Sequence, residues 1–182
     1  MQHRSPRGFL ALVLGLALSL VLTLAAPPAQ ALDTSTGVGL SERALFQDTV
    51  DYTLTNQSDK DFSQQQLANT SFAGVVGKRA NFAGANLHGA ILTQGAFPEA
   101  DFHGADLSDA LMDRADFSNT NLRDALLTGV IASGSSFSGA QVEGADFTDA
   151  LIDRADQRLL CRDAEGVNPV TGVATRDSLG CG

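Results

Sequence analysis

The sequence contains few of the residues on which catalysis and nucleic-acid binding usually depend. Among its 182 residues there are no Trp, one Tyr, two Cys and three His, and 12 Lys and Arg stand against 21 Asp and Glu. The formal net charge of −9 argues against nucleic-acid phosphates and anionic lipids as partners. Carbohydrate processing would need a cluster of exposed aromatics or paired carboxylates in a groove, and the repeat described below turns nearly all of the ten Phe inward.

Long apolar runs are also scarce, and the one that stands out lies near the N-terminus. It covers residues 9–26, follows a short positively charged start, and ends in "PPAQA". Ala29 and Ala31 then occupy the −3 and −1 positions of a cleavage site before Leu32. We therefore predict that residues 1–31 are a secretory signal peptide. The alternative is an uncleaved membrane anchor, because a run of about 18 apolar residues is just long enough to span a bilayer.

The two cysteines lie close to the C-terminus. Cys161 and Cys181 have 19 residues between them. In an exported chain an even number of cysteines favours a disulfide, and closing a loop of this size contributes about 3 kcal/mol in the chain-entropy model. A metal site is the alternative, but the sequence places no His and no third Cys nearby.

A close internal repeat organises the middle of the chain. "ADLSDALMDRAD" at 105–116 and "ADFTDALIDRAD" at 145–156 agree at nine of twelve positions and lie forty residues apart. When the chain is divided into fives from Ala80, the first residue is nearly always small and the third is nearly always large and apolar. The third residues, with the earlier ones in the same frame, are Phe62, Leu67, Phe72, Phe82, Leu87, Leu92, Phe97, Phe102, Leu107, Met112, Phe117, Leu122, Leu127, Ala132, Phe137, Val142, Phe147 and Ile152.

A period of five matches neither an α-helix nor a plain β-strand. It matches a square coil with four sides of five residues, in which the first and third residues of each side point inward. Coils of 20 residues stack at about 4.8 Å, so the forty-residue repeat spans two coils. We predict an all-β solenoid of about five coils over residues 59–158. Its predicted structural core contains Phe62, Phe82, Phe97, Phe102, Phe117, Phe137 and Phe147.

The pattern A(D/N)(L/F)xx resembles that of the pentapeptide repeat family, and this resemblance implies a right-handed quadrilateral β-helix. The tail "GVNPVTGVATRDSLGC" and the positions of the two cysteines resemble those of exported members from the thylakoid lumen of cyanobacteria and chloroplasts. The resemblance implies a location in the thylakoid lumen, with the periplasm as the alternative. A bacterial source is favoured because no plastid transit peptide precedes the apolar run.

A stack of coils needs a cap at each end. We expect an N-terminal cap over residues 32–58, with a helix that starts near Ser41, and a C-terminal cap over residues 159–182 that holds the disulfide loop. "RADQRLLC" at 154–161 is predicted to form a short helix.

The repeat region contains few residues that could form a catalytic or metal site. His88 and His103 fall at outward positions on different coils, and no Ser-His-Asp or Cys-His arrangement is apparent. Each outward column mixes Asp with neutral residues, which argues against a specific cation site. We therefore predict no enzymatic activity, no catalytic or metal-binding residues, and no cofactor.

One outward column is apolar. The second residue of each five points outward and is usually Asp or Asn, but four consecutive coils carry aliphatic residues on one side, and a fifth aliphatic residue lies on the preceding side. We call this set the aliphatic strip, and it consists of Ile91, Leu111, Leu126, Ile131 and Leu151. Such a patch indicates a contact surface, a surface covered by the chain's own termini, or tolerated exposure.

These observations predict a structural or protein-interaction module in the lumen or periplasm. Its partner would be an unidentified protein of that compartment or a second copy of the chain, and neither nucleic acid nor, after cleavage, a membrane is expected. The alternative comes from the family resemblance, because other members mimic DNA and inhibit gyrase. The net charge of −9 permits this function, but a signal peptide argues against it, since gyrase is cytoplasmic.

Overall fold

The computed structural model describes residues 50–182. The predicted signal peptide, residues 1–31, and residues 32–49 of the predicted N-terminal cap lie outside the described residues.

The five-residue period builds a ladder of parallel β-bridges in which each residue pairs with the one 20 positions later. The ladder begins with Asp51 and Ser71 and continues without a break to Leu126 and Asp146. Two short strands, β1 (Ile131–Ala132) and β2 (Leu151–Ile152), continue it in parallel register. Each side contributes only one or two residues of extended backbone before the chain turns, so the strands are short although the stack is continuous.

Backbone hydrogen bonds join each coil to both of its neighbours. The amide of Phe82 donates to the carbonyl of Asp101 on the following coil at 2.6 Å. The amide of Asn86 donates to the carbonyl of Gln65 on the preceding coil at 2.9 Å. Because this arrangement recurs on every side, the buried backbone is satisfied between coils rather than within them.

The turn at each corner explains the frequent Asp and Asn at second positions. The Oδ1 of Asp61 accepts a hydrogen bond from the amide of Ser63 at 2.9 Å, and the same bond forms at Asp106 and Asp116. Hydrogen bonds from the Ser63 amide and hydroxyl lower the pKa of Asp61 below its ordinary value. An acceptor two residues before the turn thus stabilises the corner locally, which the sequence pattern alone did not reveal.

The interior of the stack is filled by aromatic columns. The rings of Phe82 and Phe102 stack with centroids 4.7 Å apart, and those of Phe97 and Phe117 stack at 5.4 Å. All the Phe residues of the predicted core are at most 5% exposed: Phe62, Phe82, Phe97, Phe102, Phe117, Phe137 and Phe147. The aromatic stacking also includes a pair that the sequence did not single out, Tyr52 on Phe72 at 4.8 Å.

A glycine at one core position makes room for a neighbouring ring. A Cβ atom on Gly77 would lie 2.6 Å from Cδ1 of Phe97, which is closer than packed atoms approach. Val75 occupies the preceding inward position and is 1% exposed. A large first residue thus offsets the small third residue on this side, as close packing requires.

The coil geometry starts earlier than the sequence pattern indicated. The sequence predicts that residues 51–58 belong to the N-terminal cap, but Asp51 and Asn56 already form bridges with Ser71 and Val76. This segment matches the repeat motif poorly, since Gln57 occupies an inward third position. The ladder is made by backbone groups, so it continues where the side chains depart from the motif.

At the other end, the chain leaves the coil shortly after β2. Helix α1 (Arg154–Leu160) begins inside the range predicted for the repeat, and helix α2 (Thr175–Ser178) follows in the tail. Cys161 and Cys181 form a disulfide with their Cα atoms 5.6 Å apart. Within residues 50–182, no helix is long and apolar enough to span a membrane.

The tail replaces the missing next coil with acceptors of its own. Asp153 Oδ2 accepts the amide of Gly134 at 2.9 Å, and the carbonyl of Glu165 accepts the amide of Gly144 at 2.9 Å. Ser178 Oγ accepts the amide of Phe147 at 3.0 Å. In earlier coils the equivalent amides donate to carbonyls of the next coil, whereas here the acceptors are a carboxylate, a hydroxyl and a carbonyl of the tail.

Candidate protein-contact surface

Four residues of the aliphatic strip form a continuous outward column on one side of the stack. Ile91 bridges to Leu111, Leu111 to Ile131, and Ile131 to Leu151, so four side chains follow one another at the interstrand spacing. Ile91 and Leu111 are each 37% exposed and Leu151 is 59% exposed. At about 4.8 Å for each step, the column is about 14 Å long.

Leu126 lies beside this column rather than in it. It bridges to Asp106 and Asp146 on the preceding side of the coil, and it is half-buried, as is Ile131. Two further exposed residues extend the apolar surface towards the first coil: Val76, on the following side, is 47% exposed, and Leu54, at a corner, is 81% exposed. Neither belongs to the column of the strip in the five-residue frame, so the period alone does not connect them with it.

The strip occupies positions where a polar residue would stabilise the coil. At second positions such as Asp106 and Asp116, the carboxylate accepts the amide two residues later at 2.9–3.0 Å. An aliphatic side chain cannot accept that bond, so Leu111 and Ile131 leave their corners without it. Asp or Asn at these positions would add the corner hydrogen bond, so the aliphatic residues are placed here at a local cost in coil stability.

The two histidines of the described residues interact with different neighbours. The amides of His88 and His103 donate to Asn86 and Asp101 respectively, and the ring of His103 lies 4.0 Å from a carboxylate oxygen of Asp124. In the described part of the chain, no three His, Cys, Asp or Glu side chains come together as a group that could hold a metal ion.

The described cavities are shallow and lie where the last coil meets the cap. One of about 290 Å³ is lined by residues that include Asp149, Gln157 and Asp177. Another of about 210 Å³ is lined by residues that include Arg123, Glu143 and Glu165. Both linings mix carboxylates with apolar and neutral residues, and neither contains a histidine or a cysteine.

One buried acid belongs to the join between coil and cap. Burial of Asp146 opposes its ionisation, but hydrogen bonds from Thr148 and from Thr171 of the tail outweigh that effect and lower its pKa. The carboxylate is 1% exposed, and its Oδ1 accepts the Thr148 hydroxyl at 2.6 Å and the Thr148 amide at 2.9 Å. Asp146 therefore has a structural role.

Known proteins show the same repeat. The family described as pentapeptide repeats matches residues 61–94 and 110–149, with eight copies of its motif. A pentapeptide repeat protein from the Arabidopsis thaliana thylakoid lumen is 40% identical, with a TM-score of 0.49 over 71% of this chain and 90% of that one. No curated protein sequence matches the chain significantly.

Two cyanobacterial structures are more distant. A pentapeptide repeat protein from Cyanothece 51142 is 26% identical over 57% of this chain and 65% of that one, with a TM-score of 0.36. One from Nostoc Pcc 7120 is 21% identical over 71% of this chain and 94% of that one, with a TM-score of 0.38. With 40% identity to the Arabidopsis protein, the family motif in eight copies and a ladder of period 20, the chain belongs to the pentapeptide repeat family.

Proposed function

We propose that this protein is a non-enzymatic structural or protein-interaction module that acts in the thylakoid lumen, or in the periplasm, and makes contact through the aliphatic strip. The observation that carries the proposal is the strip itself. Ile91 and Leu111 are more than one third exposed, and they replace the Asp or Asn that would stabilise the corner. Exposed apolar ladders with a local cost are characteristic of contact surfaces.

The compartment is supported by three independent features. The N-terminal segment has the pattern of a signal peptide. Cys161 and Cys181 form a disulfide, a bond that persists in oxidising compartments. A relative that is 40% identical comes from the thylakoid lumen of Arabidopsis.

A non-enzymatic role is supported by the way the fold uses its interior. The inward positions are filled by Phe, Leu and Ala, and the two cavities described above, at the coil–cap junction, have no catalytic arrangement. Large apolar pockets with convergent polar groups are the usual place for a substrate, and this stack is filled instead.

A paired substitution on the strip tests the proposed contact. In Leu111→Asp/Ile131→Asp two charges stand in the middle of the strip, where a bound partner would exclude water most completely. The matched control is Leu111→Asn/Ile131→Asn, which is polar without the repulsion between adjacent carboxylates. We expect both variants to keep the β-rich circular dichroism spectrum, and the Asp pair to lose proteins that the wild type retains from lumenal or periplasmic extract.

Other outcomes of the same experiment contradict the proposal. If the Asp pair becomes sensitive to protease within residues 32–49 and loses more stability than the Asn pair, the strip is covered by the chain's own segment. If stability, oligomeric state and retained proteins all match the wild type, the strip is idle surface.

Export has a separate test. Mass spectrometry of the native protein should give an N-terminus at Leu32 and no thiol that reacts with an alkylating agent. An intact N-terminus, or alkylation of Cys161 and Cys181 without reduction, contradicts the proposed compartment.

A further inference from the structure

We infer that the occupant of the aliphatic strip is a second copy of this chain, held side by side and parallel around a two-fold axis that runs along the strip. This inference rests on the proposed function, because it takes the strip to be a contact surface. It adds the identity of the partner and the orientation of the pair.

The corners on either side of the strip carry different charges. The preceding corner presents, from coil to coil, the fifth-position residues Asn69, Gly89, Asp109, Gly129 and Asp149. The following corner presents Gly74, Gln94, Arg114 and Gly134, and the next residue of this row in the frame, Arg154, is the first residue of α1. Two carboxylates therefore lie on one side of the strip, and on the other side lie Arg114 at a corner and Arg154 at the start of α1.

The acidic and basic residues lie at the same level of the stack. Asp109 and Arg114 flank Leu111 on one coil, as Asp149 and Arg154 flank Leu151 two coils further on. Asp109 leans towards the next coil, since a Cβ on Gly129 would lie 2.5 Å from its Oδ1.

Arg114 leans in the same direction, since a Cβ on Gly134 would lie 3.2 Å from its Cγ. All four charged residues are exposed, and none belongs to an ion pair within residues 50–182.

A two-fold axis along the stack brings the preceding corner of one copy against the following corner of the other. Arg114 of one copy then faces Asp109 of the second copy, and Arg154 faces Asp149, each contact occurring twice. Leu111 and Ile131 lie on the axis and meet their own counterparts. Gly129 and Gly134 stand between the charged levels and carry no side chains, which leaves Asp109 and Arg114 free to lean over them.

An antiparallel arrangement of the two copies would place each corner against the same corner of the other copy. In that arrangement the acidic corners face each other, and so do the corners that carry Arg114 and Arg154. Asp113 and Asp153 also lie in the following corner, and Asp153 Oδ2 is engaged by the amide of Gly134 at 2.9 Å. That corner is therefore mixed in charge, while the preceding one carries the carboxylates Asp109 and Asp149 and, at a fourth position, His88. Only the parallel pairing avoids placing Asp109 and Asp149 of one copy against the same acidic row of the other.

The small contact area on this side of the stack indicates a weak dimer. Five coils and one side give a footprint of about 250 Å² from the strand spacing and rise, roughly a third of the 800 Å² that each partner buries in a stable complex. We expect a weak dimer, with a dissociation constant between about 0.1 and 1 mM. Such a dimer forms where the protein is concentrated and gives way to monomer on dilution.

Charge reversals test the pairing in the purified, processed protein by sedimentation equilibrium from micromolar to millimolar concentration. We expect Asp109→Arg and Arg114→Asp each to raise the dissociation constant about tenfold at low salt, because each opposes like charges at two symmetric places. The double variant Asp109→Arg/Arg114→Asp should return to within about threefold of wild type, because it exchanges the two sides of the same contact. The matched control is Asp124→Arg, a fifth-position carboxylate with positive φ on another side, which should leave association unchanged.

Three outcomes of these measurements would contradict part or all of the inference. Tightening of the dimer by Asp109→Arg overturns the parallel arrangement, because only facing acidic rows would gain from that reversal. A protein that stays monomeric to millimolar concentration overturns the inference that the partner is a second copy. If the strip pair Leu111→Asp/Ile131→Asp nevertheless loses a retained protein, the proposed function stands without this inference, and if it does not, both fail.

Discussion

In the stack of coils, residues 51–152, the same contacts recur every 20 residues, whereas in the C-terminal cap, residues 153–182, each contact occurs once. The coil is stabilised by aromatic columns and by backbone bonds that any residue can make. The cap is stabilised by single groups such as Asn168, Ser178 and the disulfide. A repeated contact distributes stability over many similar residues, but a contact that occurs once has no substitute when its side chain is removed.

The cap shows this dependence most clearly at Asn168, which is 1% exposed. Its Nδ2 donates to the carbonyl of Gly144 at 2.8 Å and to those of Asp124 and Ala125 at 3.3 Å. Its Oδ1 accepts the amide of Val170 at 2.9 Å. One side chain thus joins the tail to two coils.

The largest expected effect is in the coil. Phe117→Ala should lower the free energy of unfolding by about 3–5 kcal/mol, because the stacked column above and below cannot collapse into the void. Chemical denaturation followed by circular dichroism measures it. Ser118→Ala, at the neighbouring outward position, should change stability by no more than about 0.5 kcal/mol. Equal effects of the two substitutions would mean that the inward and outward positions are wrongly assigned.

Removal of the disulfide should affect the cap first. The variant Cys161→Ser/Cys181→Ser should lose about 3 kcal/mol of stability, the chain-entropy contribution of a loop of this length. We expect protease to cut within residues 162–180 while the β-rich spectrum of the coil remains. A cooperative loss of the whole fold instead would show that coil and cap unfold as one unit.

Asn168→Ala should cost about 2 kcal/mol, because it leaves buried carbonyls without their donor. Hydrogen exchange should then increase at the amides of Val170 and Thr171, which Asn168 accepts. Val170→Ala in the same loop is the control, since that side chain is 74% exposed and should tolerate truncation. If the control is as damaging as Asn168→Ala, the loop is stabilised by apolar contact rather than by hydrogen bonds.

The smallest effect should be the acid dependence at the coil–cap join. Hydrogen bonds from Thr148 and Thr171 overcome the burial of Asp146 and hold its pKa below the ordinary 3.8. A depressed carboxyl pKa adds stability that is complete above the unfolded-state value and is lost as pH falls through the folded-state value. We therefore expect part of the acid destabilisation below about pH 4 to disappear in Asp146→Asn, as measured by melting temperature against pH. An unchanged acid profile in Asp146→Asn would show that other carboxylates control it.

Much of the stack could be predicted from the sequence because its physical basis is periodic. A large third residue such as Phe117 can recur every five positions only if each side of the coil is equivalent, so period, inward register and the 20-residue stacking follow together. The same 20-residue period predicts that four residues of the strip form one column: Ile91, Leu111, Ile131 and Leu151. The family resemblance rests on the same repeat, and the comparison with known proteins confirms it.

Where the repeat ends, the local sequence does not predict the structure, because contacts between residues distant in the chain determine it. Residues 51–58 lack the motif yet join the ladder, because backbone groups pair with whatever coil lies beside them. Asn168 is an ordinary turn residue in the sequence, and its burial against Gly144 depends on how the tail folds back. The opposite charges beside the strip, at Asp109 and Arg114, belong to different sides of the coil. Only the folded coil shows that these two residues lie at the same height along the stack, because the turns between successive sides decide which of their residues become neighbours.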